Sequence, residues 1–72
     1  MPAKATHATL LAGGKAVYDR RARQGSVPVE FHFDDGSTLD SALILTTAEL
    51  EQLYAQTSRL LEAHERALGG TP

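Results

Sequence analysis

The sequence predicts an α+β fold: an antiparallel hairpin packed by a long C-terminal helix, with a further helix in front of them. Three observations carry this. Val27, Val29, Phe31 and Phe33 alternate with Pro28, Glu30 and His32, the period of a half-buried strand. The run Asp34-Asp35-Gly36-Ser37 that follows is strong turn chemistry. From Leu50 onward, apolar residues recur at spacings of three and four, the signature of one helical stripe.

The N-terminal third admits two readings. Leu10, Leu11, Gly14, Val17, Tyr18, Arg21 and Ala22 fit a helical stripe. Arg20, Arg21 and Arg23 before Gly25 resemble a helix end, with cations at the negative pole and glycine beyond it. Residues 15–24 are mostly good helix formers, which favours an N-terminal helix within 8–24. Against it, Gly13 and Gly14 each cost a helix about 1 kcal/mol relative to alanine. The alternative makes them a hairpin turn and 15–23 a strand, giving a four-stranded meander plus helix. Residues 1–6 and 69–72 are expected to be loose tails of a single domain.

The hairpin is expected over about 27–33 and 38–45. Leu39, Ser41, Leu43 and Leu45 share one face of its second strand. A two-residue loop would set Phe33 against Thr38 and put the two apolar sets on opposite faces. A three-residue loop of Asp35, Gly36 and Ser37 pairs Phe33 with Leu39, Phe31 with Ser41, Val29 with Leu43 and Val27 with Leu45. A slip of one residue exchanges the faces, so the second register is preferred. Pro28 marks the first strand as an edge, and Ser41 is expected to fill a small space under Phe31.

The C-terminal helix is expected over about 47–68. Thr46 and Glu49 make a capping box, and Leu45 and Leu50 stand where a hydrophobic staple places them. Its stripe includes Leu50, Leu53, Leu60, Leu61, His64, Ala67 and Leu68, and Glu62 and Arg66 are spaced for an i,i+4 pair. Gly69-Gly70 supplies the stop.

Composition narrows the function. A chain of 72 residues builds only a thin core. It has no cysteine, so neither disulfides nor thiolate-held zinc can reinforce that core. The remedies left are a partner chain or unusually good local structure. No apolar run approaches the roughly 20 residues of a membrane span or forms a secretory signal core, so a soluble, cytoplasmic protein is expected. The net charge of −2 is segregated. Residues 1–26 carry +4, with Lys4, Lys15, Arg20, Arg21 and Arg23 against Asp19, while residues 27–72 carry −6. Its two halves can attract each other within one chain or between copies, and the basic end can meet an acidic partner.

Chemical motifs are sparse. His7, His32 and His64 are widely separated in sequence and make no metal-binding spacing. His32 with Asp34 or Asp35 is the one candidate for a metal or acid–base site, yet turns recruit aspartate for backbone reasons alone. No serine has an activated setting, and Gly13-Gly14-Lys15 is only a fragment of a phosphate-binding loop. No catalytic residue, metal ligand set or cofactor is assigned. The expected function is a non-enzymatic interaction module, a homodimer formed through Leu53, Leu60, Leu61, His64 and Leu68. A protein partner of another kind is also possible. The alternative is a small nucleic-acid-binding regulator whose Lys15, Arg20, Arg21 and Arg23 contact phosphate.

Overall fold

A computed structural model describes residues 2–69. Met1 and residues 70–72 lie outside the described residues, and with them most of the expected C-terminal tail. The described residues form β1 (Ala5–Leu10), β2 (Val17–Asp19), β3 (Gln24–Phe33), β4 (Thr38–Thr46) and α1 (Thr47–Gly69). The fold is α+β, an antiparallel sheet followed by one helix. The front of the chain is less loose than expected, because Ala5 and Thr6 already belong to β1.

The expected N-terminal helix is not formed. β1 and β2 both run antiparallel to β3 along the same edge, β1 beside residues 29–33 and β2 beside residues 24–26. The alternative's four strands and helix are present, with a turn at residues 12–13 and a strand within 15–23, but β1 and β2 pair with β3 and not with each other, so they do not make its meander. Helix propensity at 15–24 amounts to tenths of a kcal/mol per residue, and the hydrogen bonds offered by the open edge of β3 override it. The arginines that resembled a helix end form the tip of the β2–β3 turn. There Asp19 Oδ1 accepts the backbone N–H groups of Arg21 and Ala22, at 3.0 and 3.2 Å. Arg23 closes the tip in a left-handed conformation, φ 56°.

Pro28 does not mark an edge, because β3 is the central strand, with β4 on its other side. The proline is accommodated where β1 ends. Leu11 donates its N–H to the Pro28 carbonyl at 3.1 Å, but Pro28 has no N–H to return. The Leu11 carbonyl instead accepts the Gly14 N–H at 3.0 Å, which closes a turn and takes the chain off β3. A Cβ at Gly14 would stand 2.8 Å from Pro28 Cβ, so this turn needs glycine for its close approach.

The β3–β4 hairpin keeps the expected face but not the expected register. Phe31 pairs with Leu39, Val29 with Ser41 and Val27 with Leu43, two residues away from the expected pairing. The loop again has three residues, but they are Asp34, Asp35 and Gly36. The Gly36 N–H bonds to the Phe33 carbonyl, the Phe33 N–H bonds to the Ser37 carbonyl, and Gly36 supplies φ 88°. A shift of two residues leaves each side chain on its face, so parity could not separate the two pairings. Ser41 thus lies opposite Val29 and is exposed, not packed beneath Phe31.

The helix begins as expected. The Thr46 N–H donates to Glu49 Oε1 at 2.8 Å, and the Glu49 N–H donates to Thr46 Oγ1 at 3.2 Å. Glu62 and Arg66 make their pair at 3.8 Å. Leu50 lies over Gly25, on the face that also carries Val29 and Leu45. These last two are the buried apolar residues of the described chain, so the core sits at the corner where α1 leaves β4.

Candidate functional site

Alternation assigns the sheet two unlike faces. One carries Leu10, Val27, Val29, Phe31, Phe33, Leu39, Leu43 and Leu45. The other carries His7, Thr9, Glu30, His32 and Asp40.

On the polar face, register achieves what sequence separation concealed. His7 and His32 are Cα partners across β1 and β3, and their rings stack in parallel with centroids 4.4 Å apart. Thr6 Oγ1 lies 2.8 Å from His7 Nδ1, Thr9 Oγ1 lies 2.9 Å from His32 Nε2, and Glu30 Oε1 is 3.6 Å from the same nitrogen. The suspected link between His32 and the loop aspartates is absent. Asp34 Oδ1 accepts the Lys4 backbone N–H, and Asp35 Oδ1 accepts both the N–H and the hydroxyl of Ser37. Those two bonds, the hydroxyl's first, hold the Asp35 carboxyl below its ordinary pKa. Among the described residues no three histidine or carboxylate side chains are grouped to hold a metal. The stacked pair offers two imidazoles where a zinc site needs three or four ligands. An alternating strand read against β1 was the signal that could have found the pair, but the helical reading of the N-terminal third hid it.

On the apolar side much surface stays open. Leu39 is 58% exposed and Leu43 44%. None of the helix is buried, and Leu60, Leu61 and Leu68 are 62–74% exposed. Leu53 is only just exposed, and His64 lies exposed beside them. The expected interface residues therefore share one helix and are all accessible. The helix does not lie down along its own sheet.

The overall dimensions agree. The accessible surface is 6138 Å², against about 4,300 Å² for a compact monomer of this mass. The radius of gyration is 15.7 Å, where a compact chain of this length has about 11 Å. The surplus of roughly 1,800 Å² exceeds the ~800 Å² that each partner buries in a standard interface.

The basic residues divide. Arg20, Arg21 and Arg23 gather at the exposed β2–β3 tip, while Lys15 stands apart in the connection between β1 and β2. No described helix is long and apolar enough to cross a membrane. Compared with models of protein families, with curated proteins and with solved structures, the chain finds no match. The class defined by the fold is thus a small antiparallel sheet bearing one projecting helix.

Proposed function

We propose that this chain is a non-enzymatic interaction module that self-associates, with its C-terminal helix supplying much of the contact. The observation that carries the reading is the open apolar surface, above all Leu60, Leu61 and Leu68 on a helix that its own sheet leaves uncovered. At about 25 cal/mol per Å² of apolar surface removed from water, covering such a stripe is a substantial driving force. Sedimentation equilibrium at micromolar concentration tests it. A dimer is expected, converted to monomer by Leu60→Glu with Leu61→Glu. A folded wild-type monomer at these concentrations would remove the proposal.

The arginine tip supports a second reading, a nucleic-acid contact. Three guanidiniums within four residues of an exposed turn can each meet a phosphate, and the remaining acidity of the chain opposes that attraction. Retention on immobilised DNA or RNA should then fall steeply with salt and vanish when Arg20, Arg21 and Arg23 become alanine. Absence of retention at low salt eliminates this reading.

A further inference from the structure

We propose that β4 is the seam of the dimer: it pairs antiparallel with β4 of a second copy about a two-fold axis at Ser41, joining two sheets into one. This rests on the self-association reading and specifies where the copies meet.

The backbone carries the argument. In an antiparallel ladder, successive residues direct their N–H and C=O groups to alternate sides. The Phe33–Ser37 bond sets the phase, so Leu39, Ser41, Leu43 and Leu45 face β3. Thr38, Asp40, Ala42, Ile44 and Thr46 then face outward, along an edge where no described strand pairs. The Thr46 N–H is already taken by Glu49, which leaves four outward donors. β4 has few of the usual edge defences: no proline, no lysine and, against β3, a ladder without a bulge. Its one charge is Asp40.

Symmetry selects the register. An axis at Asp40 would set two carboxylates face to face, which is unfavourable. An axis at Ala42, Leu43 or Ile44 would call on Thr46, whose N–H is occupied. An axis at Ser41 pairs Asp40 with the second copy's Ala42 and Thr38 with its Ile44, and so uses all four donors of each chain. It also places Leu39 against Leu43 of the other copy, two of the exposed leucines of the sheet. Residues paired across an antiparallel seam share a face, so both helices start on the same face of the joined sheet, one at each end of the seam.

A cysteine scan tests this on a chain that has none of its own. At the axis, residue 41 meets its own symmetry mate in a non-hydrogen-bonded pair, with Cα atoms about 4.5 Å apart, within disulfide range. Ser41→Cys is expected to give a covalent dimer on mild oxidation, whereas Thr38→Cys, whose mates lie several residues apart along the seam, is not. Ala42→Pro removes an outward N–H without touching the β3 ladder, and should give a monomer by sedimentation that keeps its sheet signal by circular dichroism. If the protein sediments as a dimer but Ser41→Cys fails to cross-link, or cross-links no better than Thr38→Cys, the seam is wrong while self-association stands. A dimer that survives Ala42→Pro overturns the seam as well. A wild-type monomer overturns both.

Discussion

Asp35 shows how little of the loop's acidity is available for chemistry. Its carboxylate is committed to Ser37, whose hydroxyl and N–H both favour the charged form. Because the folded pKa lies below the ordinary value of 3.8, the turn has this contribution in full above that value. The contribution is lost as pH falls from there through the depressed midpoint. NMR titration should place the Asp35 midpoint below that of a free aspartate, and Ser37→Ala should return it toward 3.8. An unchanged midpoint in the variant would show that the hydroxyl bond is not the cause. The capping box is the second test at this scale. Thr46→Ala leaves the Glu49 N–H without its side-chain acceptor and should cost about 1 kcal/mol in chemical denaturation.

Among the elements, the turn at residues 11–14 is the most constrained. Proline inside a central strand is unusual, and here it falls between the segments of β3 covered by β1 and β2. The ring then occupies the space where a side chain at residue 14 would stand. Gly14→Ala should destabilise by about 1–3 kcal/mol as the β1–β2 connection shifts away from Pro28. A neutral result in urea unfolding would mean that the connection is free to move. Much of the hairpin and helix was legible in the residues themselves. The capping box, the apolar faces and the Glu62–Arg66 pair are local patterns that need no distant partner. The pairing of β3 with β4 was legible only as far as its parity, because two registers two residues apart bury the same side chains.

For the whole molecule, the surplus of surface ties the proposed self-association to the stability of the helix. α1 has 23 residues and none of them buried, so most of its turns draw little support from the rest of the chain. Helicity measured by far-UV circular dichroism should therefore fall on dilution, in step with the loss of dimer by sedimentation. Leu60→Glu with Leu61→Glu should show the diluted spectrum at every concentration. A spectrum independent of concentration while the dimer dissociates would mean that the helix is stable alone. Both changes lie on the solvent-facing helix, so the sheet signal should persist.

The order of the residues alone determined the α+β class, the two long strands, the capped helix and the leucine stripe. Each of these follows from contacts between neighbours or from a period along the chain. Only the tertiary structure decided that the N-terminal third would become strands, that His7 would stack on His32, and that Pro28 would lie within the sheet. The hydrogen bonds that complete the open side of β3 come from residues up to about 28 positions away, and no local preference of one segment records what another will offer it.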